Sequence, residues 1–324
     1  MKTNRIIKNM AALALLSAFS LQPSALLGQG SLTPPGPPAP TMKSADQIEP
    51  RTPISSAPFI ISASGSYYLT TNLTVSSGNA ITIATNNVTL DLMGFTIVSI
   101  ASSASGNGIL LTNSLSDTTI VNGHIRSGVT NNGSGVYTGT GFAYGIFSAS
   151  PLVNVVISKV SVAGVLDDGI YLGHGNGTLV EACTVKTAGD NGILASIIKG
   201  SAAIGCGGYG IYGDQVADCQ AISSAGEGIY ASTTALNCYG NSSVWGLRAG
   251  TLALNCFGQS GSGDGLWANI ALNCYGYSYS GRGLAANMAN SCWGDSVIGT
   301  GLTATYGNFC FGSSVSVTTK YNMP

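Results

Sequence analysis

The sequence predicts an all-β solenoid in which short parallel strands stack into a single-stranded parallel β-helix. Three observations lead to this fold class. A Gly followed by Ile or Leu recurs at nearly constant spacing, residues alternate with period two inside each repeat, and a Cys-aromatic-Gly motif recurs with the same spacing. Charged residues make up 8% of the 324 residues and hydrophobic residues 44%, which favours a folded core over disorder.

The Gly-Ile or Gly-Leu pair marks the start of a coil. Its later members recur at nearly constant intervals, which predicts coils of about 18 residues throughout the C-terminal half. Earlier pairs at Gly145, Gly108 and Ala80 are more widely spaced, which predicts longer N-terminal coils and about eleven coils in all. The later pairs begin at Gly169, Gly192, Gly210, Gly228, Gly246, Gly265, Gly283 and Gly301.

Within a coil the alternation is that of a strand. In residues 228–240, Ile229 and Ala231 are predicted to face inward and Tyr230 outward. Residues 60–75 alternate in the same way around Gly turns, which predicts an N-terminal group of strands. Residues 315–324 show no amphipathic cap, so an exposed last strand and end-to-end self-association are predicted there.

The Cys-aromatic-Gly motif predicts a second internal ladder. Cys183 and Cys219 extend this ladder, with Ser201 in the intervening coil. Because the Cys spacing equals the coil period, we predict buried thiols that behave as small hydrophobic side chains. Disulfides between adjacent coils are the alternative, whereas one straight column does not suit tetrahedral zinc. The motif recurs at Cys238, Cys256, Cys274, Cys292 and Cys310.

The first residues indicate export. Lys2, Arg5 and Lys8 precede a short apolar run, as in a secretory signal peptide, and residues 31–42 are Pro-rich, as in an extended tether. We therefore predict a signal peptide over 1–28, a linker over 29–50 and a β-helix domain over 51–324. The expected location is secreted, periplasmic or cell-surface, with no transmembrane anchor after signal removal.

The charge pattern limits the classes of partner that the chain can bind. The net charge is −1 and no basic stripe occurs, so nucleic acid is excluded as a partner. No cofactor or metal site is predicted, because no ligand motif is present.

Three segments, at residues 87–97, 119–125 and 180–185, each lead toward a Gly-Ile coil start. They resemble right-handed parallel β-helix proteins of the pectin-lyase-like superfamily, and the resemblance covers residues 87–311. It implies a right-handed helix with three parallel sheets, in keeping with the usual handedness of parallel crossovers. Members are commonly polysaccharide lyases, hydrolases or epimerases, and some are non-catalytic surface proteins, so the fold leaves function open.

Polygalacturonases of this superfamily carry acids just before successive coil starts, then Gly-His-Gly and Arg-Ile-Lys motifs. The chain is partly similar, since Asp167 and Asp168 precede one coil start and Asp190 lies one coil later. The resemblance implies Asp168 and Asp190 as an acid and base pair for glycoside cleavage, with His174 as a substrate contact. The candidate catalytic residues are thus Asp167, Asp168, His174 and Asp190.

The match to that family is incomplete. Tyr209 stands where the family places His, Asn191 stands where an acid is expected, and no Arg-Ile-Lys occurs. Gly173-His174-Gly175 falls inside the same expanded coil as Asp168. Turn formation by Asp side chains, and a solvated His in a Gly-rich turn, are therefore the alternative interpretations. A calcium-dependent lyase is disfavoured, because the necessary oxygen ligands do not form a motif.

Aromatic residues form two predicted outward rows. One follows the Cys ladder, at Tyr239, Phe257, Tyr275, Trp293 and Phe311. The other accompanies the coil starts, beginning near Tyr171, and is the predicted substrate-binding surface. Exposed aromatic rows suit stacking on sugar rings or contact with a protein, and self-stacking between coils is the alternative. The predicted substrate-binding residues are Tyr209, Tyr212, Glu227, Tyr230, Trp245, Asp264, Trp267 and Arg282.

These patterns predict an exported β-helix protein that binds a polysaccharide or a cell-surface partner. Catalysis is left open by the incomplete motif. The alternatives are a polysaccharide-degrading enzyme, a glycoside hydrolase rather than a lyase, and a non-catalytic structural or adhesion protein.

Overall fold

A computed structural model describes residues 50–112, 114–175, 177–223 and 225–323. Within these ranges the chain consists of strands and turns and contains no helix. Thirty strands join through pairing into one sheet, and β10 and β11 form a separate antiparallel hairpin. Residues 1–49, which include the predicted signal peptide and most of the linker, lie outside the described residues.

The strands, in chain order, are β1 (Thr52–Ile54), β2 (Phe59–Ile61), β3 (Gly65–Leu69), β4 (Leu73–Val75), β5 (Ile81–Ile83), β6 (Val88–Asp91), β7 (Thr96–Ser99), β8 (Asn107–Leu111), β9 (Ser116–Arg126), β10 (Thr130–Asn131), β11 (Tyr137–Thr138), β12 (Tyr144–Phe147), β13 (Val153–Val165), β14 (Ile170–Tyr171), β15 (Gly177–Glu181), β16 (Thr184–Ala188), β17 (Ile193–Leu194), β18 (Ile197–Lys199), β19 (Ala202–Cys206), β20 (Ile211–Ala217), β21 (Gln220–Ser223), β22 (Glu227–Leu236), β23 (Tyr239–Ser242), β24 (Trp245–Leu254), β25 (Phe257–Ser260), β26 (Leu266–Leu272), β27 (Tyr275–Ser278), β28 (Leu284–Asn290), β29 (Trp293–Ser296), β30 (Leu302–Asn308), β31 (Phe311–Gly312) and β32 (Val315–Tyr321).

Parallel pairing arranges these strands in three columns, named faces A, B and C after their order within a coil. Face A runs from β2 through β5, β8, β12, β14 and β17 to the first halves of β20, β22, β24, β26, β28, β30 and β32. The second halves of those last seven strands lie on face B with β1, β3, β6, β15 and β18. Face C runs from β4 to β31, and the long strands β9 and β13 turn from face B into it.

The predicted parallel β-helix is confirmed by the register of face A. Ile229 pairs with Ile211 below it and Leu247 above it, and all three are fully buried. Ala231 is also buried, whereas Tyr230 is half-buried on the outer side. The described part of face A holds thirteen rungs, two more than predicted, because Phe59–Ile61 and the start of β32 add one at each end. The N-terminal strands predicted in residues 60–75 are present as β2, β3 and β4.

The coil-start position requires Gly because face C and the next coil approach its Cα closely. A Cβ atom on Gly169 would collide with the Val185 side chain on face C and with the Gly192 carbonyl oxygen of the next coil. Any larger residue would push the coils apart. The most regular sequence signal of the chain therefore marks the tightest contact between faces A and C.

The core narrows toward the C-terminal end. The inward position of face C changes from Val162 and Val185 to Ala203 and Ala221, and then to Gly at four further rungs beginning with Gly240. A Cβ on these glycines would meet backbone atoms of face A. The short C-terminal coils enclose less volume than the longer N-terminal coils, so small inward residues are needed to keep the faces packed.

The corner between faces B and C is turned by single residues in the left-handed region, among them Asn237, Asn255 and Asn273, with φ between 52° and 54°. Asn adopts this conformation more easily than most residues. Each of these Asn side chains also donates to the corner residue of the preceding coil, at 2.9, 3.2 and 3.4 Å. An amide ladder therefore follows this edge of the helix.

The Cys residue after each corner points inward. All eight Cys are buried free thiols, as the ladder interpretation predicts. Ser201 occupies the ladder position between Cys183 and Cys219, as predicted, and its hydroxyl accepts from the Cys183 backbone N–H at 3.2 Å. Burial raises the pKa of Cys183 to about 11 and that of Cys219 to about 12. Cys206 belongs to a different column, on face C.

In the described part of the chain no helix has the length and hydropathy needed to cross a membrane.

Candidate functional site

The outer side of face A carries the predicted substrate-binding row. Strand register places one side chain per coil there, and Tyr212, Tyr230 and Trp267 are half-buried with their rings on the outer surface. Arg248 stands between Tyr230 and Trp267 in the same register. The row is thus aromatic with one cation inserted.

Ring contacts join this row to the neighbouring column at the coil starts. The Tyr212 ring lies 4.8 Å from Tyr230 and 5.3 Å from Tyr209, measured between centroids. The Arg248 guanidinium carbon lies 5.1, 5.5 and 5.3 Å from the ring centroids of Tyr230, Trp245 and Trp267. Cation–π contacts of this kind hold a guanidinium flat against rings. The predicted aromatic residues therefore form one continuous cluster, which we call the face A cluster.

The charged members of the predicted set form ion pairs within the cluster. Arg282 Nε and one of its terminal nitrogens donate to the two carboxylate oxygens of Asp264 at 2.8 and 2.6 Å. Arg248 contacts Glu227 Oε1 at 3.4 Å. Burial raises the pKa of Glu227, and its other oxygen has no hydrogen-bond partner among the described residues. That oxygen is itself buried beneath the cluster.

Asp168 is the most enclosed of the predicted catalytic acids, with 6% of its surface exposed. Its Oδ1 accepts from both the backbone N–H and the side-chain amide of Asn191, at 3.0 and 2.7 Å. Burial raises its pKa to about 6, against the lowering effect of those hydrogen bonds. This geometry favours the turn-forming interpretation of Asp168.

Asp167 and Asp190 are more accessible than Asp168 and lie close to each other. Burial raises the pKa of both, and the charge of Asp190 raises that of Asp167 further. Burial raises the pKa of Tyr144, and the nearby charges of Asp167 and Asp168 raise it further. The hairpin residue Tyr137 lies against Gly189, the neighbour of Asp190, and its hydroxyl donates to the Gly205 carbonyl at 2.9 Å. We call Asp167, Asp168, Asp190 and Tyr144 the acid group.

His174 contacts the face A cluster. Its ring stacks on Tyr212 with centroids 4.7 Å apart, and its Nε2 lies 3.2 Å from the Tyr212 hydroxyl. Its Nδ1 is 3.8 Å from Asp214 Oδ1. Asp214 also accepts from the Gly175 N–H at 2.7 Å and from the Ser232 hydroxyl at 2.6 Å. The first of these bonds fixes the turn that contains His174, and the second fixes Asp214. None of these partners belongs to the acid group.

Several residues of these groups were not predicted from sequence. Arg248 occupies the coil position of Tyr230 and Trp267, so aligning the coils could have found it. Tyr144 precedes a coil start, as Asp168 does, and the same alignment indicates it. Asp214 and Ser232 give no signal in the sequence, because their contacts with the His174 turn depend on how neighbouring coils stack.

The second predicted row, which follows the Cys ladder, also faces outward. Tyr239, Phe257, Tyr275, Trp293 and Phe311 occupy equivalent rungs at the start of face C strands and are half-buried or exposed. The rings of Phe257 and Tyr275 stack with centroids 4.9 Å apart, so self-stacking and exposure coexist. Among the residues that the structure describes, no group of three or more His, Cys, Asp or Glu side chains is arranged to hold a metal ion.

The fold and these surfaces define a parallel β-helix protein with an aromatic and carboxylate-bearing outer face. No protein-family model matches the chain, and no curated protein matches it. Among solved structures it is similar to the crystal structure of Dettilon tailspike protein, with 15% sequence identity over 82% of this chain and a TM-score of 0.42. The chain spans 61% of the length of that tailspike protein.

Proposed function

We propose that this chain is an exported parallel β-helix protein that binds a polysaccharide along the outer side of face A. The observation that carries the proposal is the continuous face A cluster, in which the rings of Tyr209, Tyr212 and Tyr230 contact one another. The Arg248 guanidinium joins Tyr230 to Trp245 and Trp267. Rings of this kind offer apolar surface to the C–H faces of sugar rings and hydroxyl groups to their oxygens.

The polar groups of the cluster suit hydroxyl-rich ligands. His174 is exposed and Tyr212 is half-buried, so both can donate or accept hydrogen bonds at the surface. Arg248 and Arg282 are each paired with a carboxylate, so the cluster has little net positive charge. That balance favours a neutral or weakly charged sugar chain over a strongly anionic one.

Affinity electrophoresis of the purified protein in gels containing single polysaccharides tests this proposal. One or more polysaccharides should retard the protein, and Tyr212→Ala and Tyr230→Ala should each weaken binding by about tenfold, as expected for one lost ring contact. Tyr306→Ala is the matched control, because Tyr306 is also a surface Tyr but lies on face B. Retardation that is unchanged in both face A variants would place binding elsewhere. A protein partner captured through face A, with no polysaccharide bound, would favour the adhesion alternative.

Cleavage of the bound glycan is the second candidate. Asp167 is half-buried and Asp190 exposed, and burial raises the pKa of both carboxyls, which are properties of a general acid and base pair. Asp168 is better suited to holding the coil than to contacting substrate, because it is enclosed and doubly bonded to Asn191.

Reducing-sugar release and the absorbance of unsaturated products measure cleavage directly. Hydrolysis that is lost in Asp167→Asn and Asp190→Asn would support the acid group as the catalytic site. Binding without any release of product would leave a non-catalytic binding protein.

The remaining sequence predictions belong to the same proposal. Residues 1–28 act as a signal peptide, 29–50 as a linker and 51–324 as the folded domain, and the mature protein acts outside the cytoplasm. The resemblance in residues 87–311 supports distant membership of the pectin-lyase-like superfamily. End-to-end self-association through β32 remains a prediction, which the solution mass of the protein tests.

A further inference from the structure

The corner between faces B and C carries an open groove of about 920 Å³ that lies outside the face A cluster and the acid group. Three parallel rows line it, each with one residue per coil. The corner row includes the amides of Asn237, Asn255 and Asn273, the floor is formed by the Cys ladder, and the opposite wall is the aromatic row from Tyr239 to Trp293. We call this surface the corner groove.

The Asn side chains of the corner groove have hydrogen-bond donors and acceptors that the ladder does not use. An Asn side chain offers two N–H donors and an oxygen with two lone pairs. In the ladder, Asn255 donates once to Asn237 and accepts once from Asn273. One donor and one acceptor of Asn255 therefore remain directed away from the ladder, on an exposed side chain. Asn237 likewise has one unused donor and one unused acceptor, since it donates once to Asp218 and accepts once from Asn255.

The rest of the groove is uncharged and partly apolar. Asp218, at one end, is the only residue with a charged side chain among those that line it. The side chains of the Cys ladder point into the core and are buried, and burial raises the pKa of Cys219 to about 12. Trp293, at the other end, exposes 49% of its surface, and its indole N–H is held by Asp295 at 2.6 Å. The groove thus combines neutral hydrogen-bonding groups with fixed aromatic surface.

The spacing of the residues along the three rows restricts the shape of any ligand that binds in the corner groove. Corner residues from Gly200 to Ser291 provide six rungs, and five intervals of about 4.8 Å give a length of about 24 Å. Three consecutive rungs, at Asn237, Asn255 and Asn273, repeat a corner amide followed two residues later by an aromatic side chain, and Ser291 with Trp293 is a close variant. A ligand that uses these rungs must be extended, uncharged and repetitive, with a unit length close to the coil spacing.

We infer that the corner groove binds a neutral, extended β-1,4-linked glycan that runs parallel to the axis of the helix, with about one pyranose unit per coil. The hydroxyl groups of each unit bond to the free donor and acceptor of the Asn amides, and the apolar edge of the chain lies against the aromatic row. This site is separate from the face A cluster and does not rest on the function proposed for it.

Isothermal titration of the purified protein with cellohexaose, a neutral β-1,4-linked hexamer, tests the inference. Maltohexaose is the matched ligand control, because its α-1,4 linkages curve the chain away from a straight groove. Binding of cellohexaose, and at least tenfold weaker binding of maltohexaose, is expected. Absence of cellohexaose binding, or equal binding of both hexamers, would overturn the inference.

Substitutions in the corner groove test whether cellohexaose binds there. Trp293→Ala and Asn255→Gly should each weaken cellohexaose binding by about tenfold. Gly at position 255 keeps the left-handed backbone while removing the amide. Tyr306→Ala on face B should bind like the unaltered protein, and circular dichroism confirms folding of each variant. Unchanged binding in Trp293→Ala and Asn255→Gly would overturn the inference.

Tyr212→Ala separates the two sites. It removes a ring from the face A cluster and should leave cellohexaose binding in the corner groove unchanged. If polysaccharide binding is unaffected by Tyr212→Ala but lost in Trp293→Ala, the face A proposal fails and the corner groove stands. The reverse result would reject the corner groove and support face A.

Discussion

Asn191 donates two hydrogen bonds to a single carboxylate oxygen of Asp168, one from its backbone and one from its side chain, at 3.0 and 2.7 Å. Asn107 donates to Asn79 Oδ1 in the same way, also at 3.0 and 2.7 Å. Asn79 and Asp168 both stand immediately before a coil start. At these two coils the position supplies an acceptor oxygen, and a neutral amide serves as well as a carboxylate does.

Asp168→Asn is expected to stabilise the protein at neutral pH. Burial raises the pKa of Asp168 from 3.8 to about 6, so the folded state holds the proton more tightly than the unfolded state. Stability from this group is fully present below pH 4 and is lost as pH rises through about 6. The Asn variant should be more stable by roughly 1 to 3 kcal/mol at pH 7.5 and unchanged at pH 4.

Urea unfolding followed by circular dichroism at both pH values measures this difference. Asp117→Asn is the control, because Asp117 also accepts from an Asn amide, at 2.6 Å, but is exposed. It should change stability by less than about 0.5 kcal/mol. A less stable Asp168→Asn protein at pH 7.5 would mean that the charge of Asp168 is needed for folding.

The thiols are expected to be unreactive in the folded protein. All eight Cys are buried, which keeps reagents away from the thiols, and burial raises the pKa of Cys206 and Cys219 to about 12, so little thiolate forms at these two residues at pH 8. Ellman's reagent should therefore detect almost no thiol in the native protein and eight per chain in guanidinium chloride. Fewer than eight thiols after unfolding without a reductant would indicate disulfides in the Cys ladder.

The corner residue Asn255 is expected to contribute to stability through both its conformation and its amide. It has φ of 54° and donates to Asn237 at 3.2 Å. Asn255→Ala should cost about 1 to 3 kcal/mol, because Ala loses the amide and is strained in the left-handed region. Asn255→Gly should cost less, because Gly relieves the backbone strain. Thermal unfolding of the two variants separates these contributions, and equal losses would show that the backbone conformation is unimportant.

The ion pair of Arg282 with Asp264 is expected to stabilise the folded protein, because Asp264 is only 5% exposed. Arg282→Ala leaves that carboxylate without its two charge-assisted hydrogen bonds and should cost about 1 to 3 kcal/mol. Arg282→Lys should have an intermediate effect, since Lys keeps the charge but not the bidentate geometry. Urea unfolding checks both, with the exposed Lys199→Ala as control. An Arg282→Ala protein as stable as the control would show that the pair is solvated in solution.

The sequence predicted the fold because each coil carries its own local signal. The Gly before Ile170 or Leu247 leaves no room for a Cβ, and the residue after it must be apolar to fill the core, so both recur in each coil from Gly108 to Gly301. The inward Cys and outward aromatic residues were predictable for the same reason. The Asn ladder at Asn237, Asn255 and Asn273 has an equally regular spacing and could have been predicted.

The candidate site was predictable only in part. Period-two alternation was enough to place Tyr212, Tyr230 and Trp267 on one outer face. It did not separate His174 from the acid group, because His174 lies in a turn whose direction is set by Asp214 of a later coil. Nor did it distinguish the enclosed Asp168 from its neighbour Asp167, since adjacent residues in a turn do not follow strand alternation.

By itself the sequence determined the repeat, the strand type and the inward or outward direction of residues within strands, because these depend on contacts that every coil repeats. Tertiary stacking alone decided which side chains of different coils meet. It brought Arg248 onto three rings, joined His174 to Asp214 and Tyr212, and lined up the amides, thiols and rings of the corner groove. Such contacts depend on coil length and on the turns between strands, which vary along the chain and leave no periodic signal.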